Sequence, residues 1–578
     1  MRKRLSSTYV DALRAAYNGL SGEIDFVTYW WARAAELVGT RKVRQFGFIT
    51  TKTIAQPSNR SVLREHLEKD REHLIHLRFA IPNHPWHDQE TTAAVRIAMT
   101  VGAAGEGSGS LLTVKWERRR SGETHLDFDL KRGRINVDLT IGPKVASAKA
   151  LKSNSKICWM GVKMSGEGFK IGASRRAAFE RDGVPSDRMP RVLAGTDVSE
   201  LRAPIYALDF FGLSEDEVKA KYPTAYDHLL TYVKPERDQN DREAYSEEWW
   251  RFVEPRPRLR TSTQGLSRYV VTSETHTHPI FAFVANDQLI IDGSVIAVAS
   301  DDAWILGALS SRVHEIWALR AGGRQGVGDD PRYQNEMCFD PFPFPDTQDE
   351  ALKSRIRDTA EELDGLRKDV LARHHDLTLT RLYNTLEALR AAEEAATVLS
   401  DKERDIAERG CVSLIRQYHD EIDAAVAEAY GWGDLIIKEE EGVSTGSART
   451  VWVEGADELI LERLVALNKE RATEEAKGQV RWLRPEYQAP GYVAPEQQAA
   501  LALPEAAKPS AEILAWPSAL PDQVTLVAGV VARAGRPIAA NDVARAFKGK
   551  RAASVTPVLD ALAGMGRLRK LDDGRYAA

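Results

Sequence analysis

The chain is poor in cysteine. Cys158, Cys338 and Cys411 are the only three in 578 residues, far apart and without a CxxC pair or neighbouring histidines. Neither a disulfide framework nor a zinc site is indicated. Long apolar runs are also missing, and none reaches the roughly 18 residues that a membrane span needs. The basic start, Arg2, Lys3 and Arg4, leads into an amphipathic stretch instead of an apolar one, so it is not a secretory signal. No membrane partner and a cytoplasmic protein are expected. A net positive charge is lacking too: the formal value is −5, which excludes a uniformly basic nucleic-acid binder. DNA contact must then come from local basic clusters. The glycine-rich stretch 102–110, GAAGEGSGS, has no strand-then-helix context and reads as a turn, not a phosphate loop. Carboxylates in EKDRE and DDPR come without the company that a metal-dependent nuclease needs.

What is present is most concentrated at 310–346, SSRVHEIWALRAGGRQGVGDDPRYQNEMCFDPFPFPD. Val313, Ile316, Trp317 and Leu319 have the spacing of a buried helix face. Arg312, His314, Arg320, Arg324 and Arg332 gather around glycines that let a backbone approach phosphates. The competing reading is a solvated loop. A second basic array, Lys234, Arg237, Arg242, Arg251, Arg256, Arg258 and Arg260, is interleaved with Trp249, Trp250 and Phe252. Arginine can fork to guanine or phosphate while the aromatics lock the platform. Glu236, Glu247, Glu248 and Glu254 are close enough to neutralise about half of that array.

Along the chain, 1–110 alternates helices (25–38 and 61–69, the latter capped by Ser58 or Asn59) with strands (46–50 and 93–101), as an α/β sheet does. Residues 111–346 are mostly β, with strands expected at 135–141, 156–163, 269–272, 281–284 and 288–292. Residues 347–489 are a helical spacer: a helical hairpin or a short coiled-coil seam over 350–395, one helix over 401–430 and another over 456–475. The Ala, Pro and Gln-rich stretch 490–521 reads as a linker. Residues 522–578 follow helix, helix, helix, hairpin, the winged-helix pattern, with Lys548, Lys550, Arg551, Arg567, Arg569, Lys570 and Arg575 as local positive charge. Winged helices serve as DNA readers and as protein-docking modules.

Several long strings carry a family resemblance: YVDALRAAYNG (9–19), DFVTYWWARAAELV (25–38), RQFGFITTKTIAQ (44–56), FAIPNHPWHDQETTAAVRIAMTVG (79–102), INVDLTIG (135–142), YVKPERDQNDREAYSEEWWRFVEPRPRLR (232–260), the 310–346 segment and VRWLRPEY (480–487). Together they make the chain resemble, over nearly all of 5–490, the class I S-adenosylmethionine-dependent DNA adenine-N6 methyltransferases of MmeI-like restriction–modification and DISARM-type defence systems. The resemblance implies a partial Rossmann-like sheet, a target-recognition domain, double-stranded DNA as partner, and a base flipped out of the duplex for methyl transfer to its amine. The chain departs from the family where chemistry is done. It has neither the glycine-rich cofactor loop nor an Asn-Pro-Pro-aromatic string; FDPFPFPD has Asp-Pro without the second adjacent proline. Met1 is therefore expected to fall just downstream of the catalytic loop.

By the same resemblance, Asp25 and Phe26 flank the cofactor pocket, 46–50 is the next core strand, and Trp86 and His87 form an aromatic wall for the flipped base. Trp86 equally suits packing in its proline-rich surroundings. Arg60, Arg251, Arg258, Arg260, Arg312, Arg320, Arg324, Arg332, Lys550, Arg551 and Arg569 are the DNA-contact candidates, while Arg64 suits solvent. No catalytic residue and no metal ligand is identified. S-adenosylmethionine is expected to need a separately encoded cofactor-binding half, with restriction or defence subunits as further partners. The alternative is a non-catalytic DNA-binding or regulatory protein derived from such an enzyme.

Overall fold

The structure is a computed structural model that describes residues 6–17, 20–22, 24–69, 72–86, 95–120, 123–200, 202–240, 243–325, 330–395, 397–440, 448–491, 514–534, 537–571 and 574–577. The chain divides into two units, 1–490 and 491–578.

The first unit opens with helices α1 (Ser7–Ala16) and α2 (Phe26–Gly39), strand β1 (Gln45–Thr51) and helix α3 (Pro57–Arg64). Strands β2 (Ile75–Trp86), β3 (Val95–Ala104), β4 (Gly109–Arg120) and β5 (Glu123–Gly133) complete a sheet of order β1-β3-β2-β4-β5. All neighbours are antiparallel except β2 and β4. The sheet thus continues past residue 110, and only 105–108 of the glycine-rich stretch forms the turn. Helix α2 seals one face: the Trp31 indole donates to Thr100 Oγ1 at 3.2 Å and meets Phe46 edge-on.

Two local expectations fail for identifiable reasons. Helix α3 starts at Pro57, whose missing N–H suits the first turn, and ends in a π-helical turn, Glu65–Lys69. Asn59 therefore lies inside it and caps another helix: its side chain accepts from Asp25 N–H at 2.8 Å and Thr28 Oγ1 at 2.9 Å. The stretch 135–141 is not a strand. Asn136 and Leu139 close a turn (Leu139 N–H to Asn136 O, 3.0 Å), with Leu139 at φ 56°. Ile135, Val137 and Leu139 enter the core all the same, without strand partners.

Further along, β6 (Cys158–Met160), β10 (Arg268–Ser273), β11 (Ala282–Ala285) and β13 (Val295–Val298) form an antiparallel sheet of order β11-β10-β13-β6. Strands β7 (Lys170–Ile171), β8 (Arg191–Leu193), β9 (Ile205–Ala207) and β12 (Leu289–Ile291) form another, β12-β8-β9-β7. The expected strand at 156–163 shrinks to the three residues of β6. Trp249 and Phe252 are buried in the local core, and the Trp250 indole donates to Leu213 O at 3.1 Å.

The helical region has helices over Glu350–Arg373 and Leu379–Glu394, which pack on other helices more than on each other and so do not make the expected hairpin, and the helix Ala456–Ala476. The single helix expected over 401–430 is two, Asp401–Arg409 and Val412–Ala429. Cys411 sits at φ 50°, and a Cβ on Gly410 would lie 2.3 Å from Leu382 Cδ2. The break lets the chain pass close to the Leu379–Glu394 helix. The second unit contains helices Leu520–Ala534, Ala540–Arg545 and Ala552–Gly564 and a two-stranded hairpin, Arg569–Lys570 with Tyr576–Ala577, around Val527, Val531, Val543, Phe547, Leu559 and Tyr576. Among the described residues, no helix is long and apolar enough to cross a membrane.

Candidate nucleic-acid interface

The segment singled out in the sequence builds one wall of a cleft. Ser311 caps helix α4 (Arg312–Ala321), whose Val313, Trp317, Ala318 and Ala321 are buried; the Trp317 indole donates to Cys338 O at 3.0 Å. The following Gly322 cannot be replaced without movement, because a Cβ there would lie 2.5 Å from Arg332 O. Next come β14 (Gly323–Gln325) and β15 (Asp330–Arg332), an antiparallel hairpin that sets Arg324 opposite Pro331. Arg324 is exposed. The aromatic–proline staircase turns inward: Phe339, Phe342 and Phe344 are buried, and Phe342 stands 4.4 Å from the His314 ring. His314 is therefore a core residue, not a phosphate contact. Its Nε2 lies 3.0 Å from the Tyr333 hydroxyl, and burial pushes its pKa down to about 3, so it is neutral.

The opposite wall comes from the first sheet and from the turns and helix α3 packed beside it. The cleft, about 630 Å³, is lined by Lys52, Gln56, Arg60, Pro82, Asn83, Thr113, Asp138 and Thr140 on that side. It faces Ile316, Leu319, Arg320, Gly323 and Arg324, with Asp457 and Glu458 closing one end. Ile316 and Leu319, expected in the buried face of α4, line this cleft instead. The Gln56 amide donates to the main-chain oxygen of Arg324 at 3.2 Å, tying the two walls together. Arg60 is mostly buried: its Nε donates to Ala55 O at 2.9 Å, and burial lowers its pKa while the Asp138 carboxylate raises it. Arg320 pairs with Glu458 at 3.4 Å, and Arg312 with Asp457 at 2.8 Å. Cations thus line both walls, partly balanced by acids at the end of the cleft. Lys52 and Gln56 were not marked by the sequence. They sit in a threonine-rich string in which Lys52 is the single charge, and only the fold brings them opposite Arg324.

The other candidates are scattered. Arg332 pairs with Glu274 at 2.5 Å. In the second basic array, Arg251 pairs with Glu248, Arg256 with Glu254, and Arg260 with Asp209 at 2.6 Å, whereas Arg258 is exposed. Arg237 is structural. Its guanidinium, 2% exposed as a residue, donates to the carbonyls of Ser165, Met164 (2.7 Å) and Arg251 (2.9 Å). Arg64 donates to Ala146 O at 3.0 Å. Trp86, at the end of β2, is 46% exposed; His87 and Arg242 lie outside the described residues. In the second unit, Arg551 and Arg569 are exposed and Lys550 lies over the Trp516 ring at 5.5 Å.

The residues expected to flank a cofactor are engaged elsewhere. The Asp25 carboxylate accepts from Thr53 Oγ1 at 2.5 Å and Asn59 Nδ2 at 3.0 Å, and the Phe26 ring packs with Tyr9 and Trp30. Among the described residues there is also no group of three or more His, Cys, Asp or Glu that could hold a metal ion.

One buried acid secures the cleft helix from behind. Asp423, on the Val412–Ala429 helix, accepts the Arg312 N–H at 2.7 Å, and burial pushes its pKa up to about 7. An acid whose folded pKa is raised takes up protons on folding, so its contribution worsens as pH climbs from about 4 to about 7. Asp423→Asn keeps an acceptor and removes the charge. We predict that it stabilises the fold at pH 8 by an amount on the order of 3 kcal/mol, seen as a higher thermal midpoint, and leaves the midpoint unchanged near pH 4. Equal midpoints at both pH values would sink this reading.

Comparison with known proteins agrees with this arrangement. The family model "MmeI, target recognition domain" matches residues 214–346. A solved structure, the type IIL restriction–modification enzyme MmeI in complex with DNA, is similar at a TM-score of 0.59 with 18% sequence identity. The match covers 81% of this chain and 55% of that one, so the chain spans about half the length of MmeI. A search of curated protein sequences gives no match. The likeness to MmeI-type enzymes expected from the sequence thus holds by family model over 214–346 and by fold over most of the chain.

Proposed function

We propose that a chain whose residues 214–346 match an MmeI target recognition domain is the DNA-recognition portion of a site-specific, S-adenosylmethionine-dependent DNA adenine-N6 methyltransferase. It would work in a restriction–modification or phage-defence system, with the cofactor-binding half supplied by another polypeptide. The observation that carries this reading is the cleft: it sets Arg320 and Arg324, inside the matched domain, against Lys52 and Arg60 on the turn and helix that follow β1. Backbone phosphates can be held by such cations while a hairpin side chain reaches a base edge. The sheet order is consistent with the second half of a Rossmann-like methyltransferase sheet. The three helices and hairpin of 514–577 are consistent with a winged helix, whose exposed Arg551 and Arg569 offer a further DNA contact.

The cofactor would supply the methyl group from its sulfonium to the adenine amine; the residues of this chain position DNA and do not hold that group. In a binding assay, the purified chain is expected to hold double-stranded DNA with an affinity that falls steeply between 50 and 200 mM salt, as phosphate contacts demand. It is expected to transfer no methyl group unless the cofactor-binding half is added. Methyl transfer by the chain alone would overturn the divided-enzyme reading. Methyl transfer restored by the added half would exclude the alternative of a non-catalytic regulator.

A further inference from the structure

Two cations, one from the matched recognition domain and one from the first sheet, meet on a single carboxylate. Glu458, in the first turn of the helix Ala456–Ala476, pairs through Oε1 with Lys131 of β5 at 3.5 Å and through Oε2 with Arg320 of α4 at 3.4 Å. Its neighbour Asp457 pairs with Arg312 at 2.8 Å. Acids suit the positive end of a helix, so a purely structural role is the competing account.

The backbone leaves room at that point. Gly142 lies beside it at φ 111°, in the left-handed region that favours glycine, and a Cβ there would stand 2.7 Å from Glu458 Oε2 and 3.8 Å from Arg320 Nη2. Any side chain would displace the carboxylate. The bridge is also loosely held: the Lys131 and Glu458 side chains are 50% and 44% exposed, and ion pairs so open to water add little to stability. A bridging carboxylate of this kind has the negative charge and the paired oxygens that a backbone phosphate would offer the same two cations.

We infer that Glu458 holds the place of a DNA phosphate: in the free chain it joins Lys131 to Arg320, and in the DNA complex a backbone phosphate takes its place between them. The inference rests on the recognition reading and adds to it a phosphate site, formed by Lys131 and Arg320 beside Gly142. Exchanging one anion for another keeps both cations partnered in the free and the bound state. It also discriminates. DNA that is not seated well enough to bring a phosphate to this point leaves the carboxylate in place, so the acid disfavours loose binding more than well-seated binding.

The test is to titrate the full chain with a random-sequence DNA duplex, by fluorescence anisotropy, from about 50 to about 200 mM salt. Glu458→Gln is expected to bind about three- to fivefold more tightly at low salt. Lys131→Ala is expected to bind about three- to tenfold more weakly, with a logarithmic salt slope smaller by about one. Both variants should keep the wild-type circular dichroism, because the replaced side chains are about half exposed. A loss of affinity in Glu458→Gln would make the acid a brace of the cleft, and a gain there without a loss in Lys131→Ala would make it a source of plain repulsion. Either result overturns the exchange, as does unchanged binding by both variants. Absence of DNA binding by the wild-type chain would instead sink the recognition reading, so the two failures are told apart.

Discussion

Replacing Arg320 and Arg324 together by alanine is expected to weaken binding to cognate double-stranded DNA by about 10- to 100-fold at low salt, the range for losing one bidentate contact and one phosphate contact. Arg324 should account for most of the loss. It is exposed on the β14–β15 hairpin, whereas Arg320 is half-buried and already shares Glu458. The way the loss depends on sequence and salt assigns the contact. If Arg324 reads a base, Arg324→Ala relaxes discrimination at one position; if it holds a phosphate, affinity falls evenly for all sequences and the logarithmic salt slope shrinks by about one. Unchanged affinity in the double variant, measured by fluorescence anisotropy, would remove the cleft as the DNA interface.

The largest stability effect is expected at Arg237. Its guanidinium satisfies the carbonyls of Ser165, Met164 and Arg251 at one buried point and lies over the Phe169 and Tyr245 rings, 5.6 and 5.3 Å from their centroids. Arg237→Leu would leave those acceptors buried and unpaired, each at about 1–3 kcal/mol. A total loss of about 3–5 kcal/mol is expected, seen as a lower denaturant midpoint. Arg237→Lys should rescue only part of it, since an ammonium lacks the planar fork that reaches three acceptors at once. A midpoint shift below about 1 kcal/mol would show that solvent takes the place of the guanidinium.

Sequence pattern reveals much of the fold because it reports burial. Trp317 and Val313 have the 3.6-residue period of a packed helix, and they are packed. The same logic fails at 135–141, where Ile135, Val137 and Leu139 alternate as in a strand but are buried by a turn that Asn136 closes. It also fails at 401–430, where one residue in the left-handed region breaks an otherwise continuous helical pattern.

The site was less legible. Arginine beside glycine is the same signal whether the residue is exposed, as Arg324 is, or half-buried in an ion pair, as Arg332 is with Glu274. Arg237 and Arg258 look equivalent in the basic array, yet one is buried among carbonyls and the other is exposed. Some partners are local, as Glu248 is to Arg251 and Glu254 to Arg256, but Asp209, Glu274 and Glu458 lie far in sequence from Arg260, Arg332 and Arg320, and no local window contains them.

The hydrogen bond from Gln56 has an evolutionary corollary. Because it ends on the main-chain oxygen of Arg324 and not on the side chain, the hairpin is moored by an atom that every residue possesses. Position 324 can therefore change identity without loosening the hairpin from the first sheet. Such a joint would let a lineage acquire a new DNA target through a single codon while the rest of the recognition apparatus stays in register.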